Sequence, residues 1–160
     1  MTFLSGDYYS KDKELNTLYK EIVDPLQGIV GEWTPRIIGS TTEGVGTYTH
    51  AYGTSLCYGQ VVDVWFDIFW TVHTGTGFMR ISLPMTVYPL SYLPFVGTLH
   101  WSNITLDANY TFAIISGKPD TEYCEVAQCS PNPLLGTKNV NMSATGLLRG
   151  YLRFLRKYDK

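Results

Sequence analysis

A chain of 160 residues with 44% hydrophobic and 16% charged residues, against about 25% charged in an ordinary soluble domain, has room for one domain and a modest appendage under a largely neutral surface. The formal net charge of −2 offers no basic footprint for nucleic acid, and no run approaches the roughly 18 apolar residues of a membrane-spanning helix. Three cysteines, with Cys124 and Cys129 five apart and Cys57 alone, make neither a metal motif nor a disulfide framework, although a Cys124–Cys129 bridge stays open. The expectation is a protein with no cofactor, no metal site, no nucleic-acid partner and no membrane insertion, assembled in a reducing cytoplasm. The start, Met1 to Glu14, has no basic region followed by an apolar one, so any work outside the producing cell implies release by host lysis. The sequons at Asn103, Asn109 and Asn141 then carry no meaning.

In chain order, residues 10–23 read as a helix: Ser10 can cap it, and Lys, Glu and Leu fill it. Its apolar stripe, Leu15, Leu18, Ile22, Leu26 and Ile29, has intervals of 3, 4, 4 and 3, interrupted at Asp24-Pro25. A helix this short is marginal alone, so it must pack on the body or on its own copies. Residues 1–30 are therefore expected as a helical neck and 31–160 as a separate head.

From Gly31 onward, short apolar runs alternate with Gly, Pro, Asn and Ser clusters, and strands are expected at residues 36–39, 47–52, 55–58, 60–72, 78–83, 98–106, 110–116, 122–127, 138–142 and 147–155. The centre is residues 59–84. Val62, Val64, Phe66, Ile68, Trp70 and Val72 alternate with Asp63, Trp65, Asp67, Phe69 and Thr71, giving one apolar face and one wet face. Thr74-Gly75-Thr76-Gly77 should reverse the chain so that the next strand returns alongside. Residues 87–96 form a Pro-containing loop pinned by Tyr88, Tyr92 and Phe95, and residues 130–136 form a second. The fold class is all-β: an antiparallel, jelly-roll-like β-sandwich.

Gly31-Glu32-Trp33-Thr34-Pro35, Gly46-Thr47-Tyr48-Thr49, the long aromatic strand after Tyr58, His73 to Gly77, Ile81 to Pro84 and the closing Gly146-to-Tyr151 run occur in an order that resembles one module. It is similar to the Gly-x-Trp-Thr-Pro β-sandwich domain at the ends of phage tail fibres and tailspikes, also found in bacterial collagen-like adhesins. The resemblance covers about residues 31–151 and implies a homotrimeric head on a stem, used to bind cell-surface glycans or to cap a fibre. It carries over no catalytic residues. The 85–96 loop is longer and more aromatic than that pattern.

Asp63 and Asp67, four apart on one strand face, stand about 13 Å apart, beyond the spacing of glycosidase carboxylates. His50, His73 and His100 have no triad spacing, so a binding protein rather than an enzyme is expected. Trp65, Phe69, Trp70 and Trp101 read as core or trimer seam, with sugar stacking as the alternative. The basic tail, Arg149, Arg153, Arg156, Lys157 and Lys160, reads as the solvated side of an edge strand, with an acidic-glycan site as the sharper alternative. The expected glycan site is Tyr88 and Tyr92 with His100 and Trp101, because a proline-stiffened loop presents aromatic area at small entropic cost. The function that follows is a virion protein recognising a host-surface polysaccharide, its neck docking on other tail or capsid proteins. The alternative is a structural virion role, as head fibre, decoration or tail adaptor, without glycan binding.

Overall fold

The computed structural model describes residues 28–89 and 95–157, and among these the chain forms ten β-strands and no helix. They are β1 (Ile29–Trp33), β2 (Ile37–Gly39), β3 (Gly46–Tyr58), β4 (Val61–His73), β5 (Met79–Ser82), β6 (Phe95–Ser102), β7 (Phe112–Gly117), β8 (Tyr123–Cys129), β9 (Thr137–Asn139) and β10 (Gly146–Leu155). All pairings are antiparallel, in the order β1-β3-β4-β10-β6-β7-β8-β5-β2, with β9 on β8.

The all-β, antiparallel expectation holds, but the two separate sheets of a sandwich are replaced by one continuous ladder that curls. Connectivity forces the curl. β1 and β2 are the two ends of the strand order, yet only Thr34, Pro35 and Arg36 join them, a span of at most about 14 Å. The sheet therefore bends until its ends approach, and its inner face closes on itself. Val62, Val64, Phe66, Ile68 and Trp70 from β4 and Leu148, Leu152 and Phe154 from β10 meet Ile37, Met79, Ile81, Ile115, Cys124 and Val126 from the other half, all nearly inaccessible to solvent. Burial of this apolar face is the main stabilising term.

β3 is one strand of 13 residues rather than two short ones, and it carries a bulge. Tyr48 pairs with Trp70 and His50 with Phe69, leaving Thr49 as the extra residue. Strict alternation would put Tyr48 and His50 on one face; the bulge turns Tyr48 inward, where its hydroxyl accepts the Ile37 N–H at 3.0 Å, and leaves His50 outside.

The expected return strand after Thr74-Gly75-Thr76-Gly77 is corrected. Both sides of β4 are already occupied by β3 and β10, so β5 crosses to the far half and pairs with β2 and β8. Residues 74–77 bind the 40–45 loop instead: the Thr74 N–H donates to Val45 O and the Thr76 N–H to Thr42 O, both at 3.1 Å. Buried His73 anchors the crossing, with Nε2 donating to Ile37 O and Nδ1 accepting the Gly75 N–H, each at 2.9 Å.

The head also begins earlier than Gly31. Ile29 and Val30 are paired strand residues opposite Cys57 and Leu56, so Ile29 cannot continue a helical stripe. Leu15, Leu18, Ile22 and Leu26 lie outside the described residues. Cys124 and Cys129 are free and buried within β8; five apart on one strand, they point to opposite faces and cannot bridge. Burial pushes the Cys124 thiol up to about 12. Asn103 and Asn109 hold turns at φ 60° and 71°, the left-handed conformation that asparagine tolerates, so their place in the sequence has a backbone reason. No helix among the described residues is long and apolar enough to cross a membrane.

Candidate functional site

Alternation in β4 sends Val62, Val64, Phe66, Ile68 and Trp70 into the core and Asp63, Trp65, Asp67 and Phe69 to the outer face. The neighbouring β10 alternates in the same way, and its register sets Arg153, Tyr151 and Arg149 directly opposite Asp63, Trp65 and Asp67. The outer face thus carries an aromatic pair bracketed by two ion pairs, one at each end of a five-residue stretch.

At one end Arg153 donates through Nε and Nη2 to the two Asp63 oxygens at 2.7 and 2.8 Å, and the Tyr151 hydroxyl donates to Oδ1. The Arg153 hydrogen bonds hold the Asp63 carboxyl below its ordinary range, against the opposing effect of burial. At the other end Asp67 accepts His50 Nε2 at 2.9 Å and Arg149 Nε at 2.8 Å. Burial would raise this carboxyl, but the bonds from His50 and Arg149 outweigh it and the net direction is down. Both carboxylates are therefore ionised and neutralised within the face.

Between the ends, the Trp65 and Tyr151 rings lie 5.4 Å apart at 39°. β3 extends the aromatic surface: Tyr52, opposite Asp67, stacks on His50 at 5.6 Å and 5°, and His50 meets Phe69 at 6.0 Å. Tyr52 and Trp65 are diagonal neighbours, so Tyr52, Trp65 and Tyr151 run obliquely across three strands. Trp65 is 42% and Tyr52 71% exposed, an unusual amount of aromatic area to leave wet.

The expected glycan site is divided by this geometry. His100 pairs with Arg149 and joins the outer face, while Trp101 pairs with Leu148, turns inward and packs against the core. Tyr88 is half-buried, and its N–H donates to Leu155 O at 2.7 Å. Leu155 is six residues along β10 from Arg149, about 20 Å away, so Tyr88 does not share a site with His100. Fully buried Val87, rather than Tyr88, pins this loop, exchanging backbone hydrogen bonds with Asp120 and Thr121. Tyr92 lies outside the described residues.

The tail is corrected as well. β10 is no edge strand but sits between β4 and β6, and Arg149 and Arg153 serve the two aspartates. Lys157 pairs with Asp120 at 2.5 Å. The signal for the face was present in the sequence as Asp63-x-Trp65-x-Asp67 and Arg149-x-Tyr151-x-Arg153, two charge–aromatic–charge runs that match when laid antiparallel. A separate cleft of about 190 Å³, lined by Arg36, Ile37, Glu43 and Tyr48, is below the roughly 300 Å³ where small-molecule sites begin.

No protein-family model matches this sequence, and no curated protein does. Among solved structures the chain is similar to the Dettilon tailspike protein, with a TM-score of 0.55 at 13% identity, over 78% of this chain and 23% of that one. The likeness is one of fold, and this chain spans less than a quarter of that tailspike's length.

Proposed function

We propose that this chain is a virion component, assembled in the host cytoplasm, whose head recognises a host-surface glycan on the outer face of β3, β4 and β10. The carrying observation is the oblique line of Tyr52, Trp65 and Tyr151, with planar polar groups of Asp67 and Arg149 beside it. Sugar rings stack their C–H faces on aromatic rings, and a carboxylate next to a guanidinium accepts from and donates to adjacent hydroxyls. The tailspike-like fold supports a place in the tail, as the Gly-x-Trp-Thr-Pro motif does. Binding rather than catalysis is favoured because the carboxylates on the face are held ionised, Asp63 by Arg153 and Asp67 by His50 and Arg149, leaving neither as a proton donor at neutral pH. A second reading, a structural virion protein docking on another, is favoured by edge strand β1, where Ile29 and Val30 are 66% and 67% exposed.

The test is attachment to host cells by Trp65→Ala and Tyr52→Ala variants. A glycan-binding face loses at least about tenfold in attachment with a melting temperature changed by less than about 2 °C, because both rings are exposed. Attachment unchanged in both variants rejects the face as the binding site.

A further inference from the structure

Resting on the glycan-binding reading of this face, we infer that its ligand class is neutral: an uncharged pyranose chain of about three sugars, laid obliquely over Tyr52, Trp65 and Tyr151. Length follows from the platform, since diagonal neighbours on adjacent strands stand about 7–8 Å apart and directly opposite residues about 5 Å apart. Charge follows from the pairing. Two guanidinium groups meet two carboxylates, Arg153 with Asp63 and Arg149 with Asp67, and each contact is within 2.8 Å.

An acidic sugar reaching the remaining N–H groups of Arg149 would sit beside the Asp67 carboxylate, and one reaching Arg153 would sit beside or displace Asp63, so in both places its charge meets a like charge held in the face. Asp63 is almost inaccessible, at 5% of its side-chain surface, so it has no solvated position to retreat to. A neutral sugar meets no such cost. Its hydroxyls find unused acceptor capacity on Asp67, whose side chain is 34% exposed, and unused N–H donors on Arg149, which is 55% exposed and engages Asp67 only through Nε. His50 stays fixed on Asp67 and stacked on Tyr52, so it orients both groups. Arg149 and Arg153 of the basic tail are thereby assigned to holding the face together and not to attracting anions.

The experiment is binding of the full chain to an immobilised panel of neutral and acidic bacterial polysaccharides and oligosaccharides at 50 and 500 mM sodium chloride, repeated with Trp65→Ala and Tyr52→Ala. Expected are neutral ligands only, affinity altered less than about twofold between the two salts, and a loss of about tenfold or more in each variant. Binding of acidic members that weakens about tenfold or more in the higher salt overturns neutrality while leaving the glycan face intact. Failure to bind any member overturns the face itself. Binding to neutral members that both variants retain places the neutral site elsewhere and also rejects the inference.

Discussion

Asp63 shows how one residue serves both the core boundary and the outer face. It is 3% exposed, accepts hydrogen bonds from Arg153 and Tyr151, and its carboxyl is held below the ordinary 3.8 chiefly by the Arg153 bonds. A carboxyl depressed in the native state contributes stability above its unfolded value, and the contribution fades as pH falls through the native value. Urea midpoints should therefore hold from pH 7 to about 5 and decline below about 4, with Asp67 and Asp107 acting in the same direction. Asp63→Asn should cost about 1–3 kcal/mol at pH 7, read as a fall of about 3–10 °C in melting temperature, and should flatten the acid decline. An unchanged decline in that variant would assign the acid sensitivity to other carboxylates. His50, Tyr52 and Trp65 are different in kind: they add little to the core, and their substitution is expected to be felt in binding.

At the scale of elements, the bulge at Thr49 decides which side of β3 meets the site. Beyond it, Tyr52, Thr54, Leu56 and Tyr58 share the outer face with His50, while Tyr48 before it points in and holds Ile37 of β2. Deleting Thr49 makes Tyr48 and His50 consecutive, so simple alternation keeps them on opposite faces, whereas deleting Ala51 makes His50 and Tyr52 consecutive and forces one of them to turn inward. The Ala51 deletion is expected to lose about 2 kcal/mol or more, seen as a lowered melting temperature, and the Thr49 deletion less. Equal losses would show that Thr49 is more than an extra residue in the ladder. The neighbouring contact between β6 and β10 is equally exact: a Cβ at Gly97 would meet Tyr151 O at 2.1 Å, and only glycine lets the two strands approach there.

For the whole molecule, the curl rather than a second sheet creates the inside, and the strand order leaves β1 as an end with apolar residues in water. We expect a homotrimer in solution, its mass by light scattering three times the 18.0 kDa chain, and a monomer at micromolar concentration would reject it. Removing residues 1–27 is expected to keep the β-type circular dichroism, because β1 begins at Ile29. Removing residues 1–33 takes away all of β1, exposes the free side of β3 and is expected to lower the melting temperature by several degrees.

The sequence by itself pointed to antiparallel β after residue 30, because short apolar runs cut by Gly, Pro and Asn about every 8 to 12 residues leave little chain for the crossovers that parallel strands need. It also determined the two faces of β4 as far as Trp70, since side chains alternate there, and Asp67 was legible as outward; Trp65 on the same face read as core or trimer seam, and Val72, expected inside, is 53% exposed beyond a break in the register. Only the tertiary structure decided what those faces meet. Strand partners are non-local: Asp63 and Arg153 are 90 residues apart, and although the two runs are complementary in charge, that match alone does not exclude β5 as the neighbour of β4. The same holds for Trp101, whose neighbour His100 faces out while it packs in, because register, and not residue type, sets which of two adjacent aromatic positions is wet. The curl lies beyond periodicity too, since it arises from joining the two ends of the strand order through three residues, a constraint that exists only once the order is fixed.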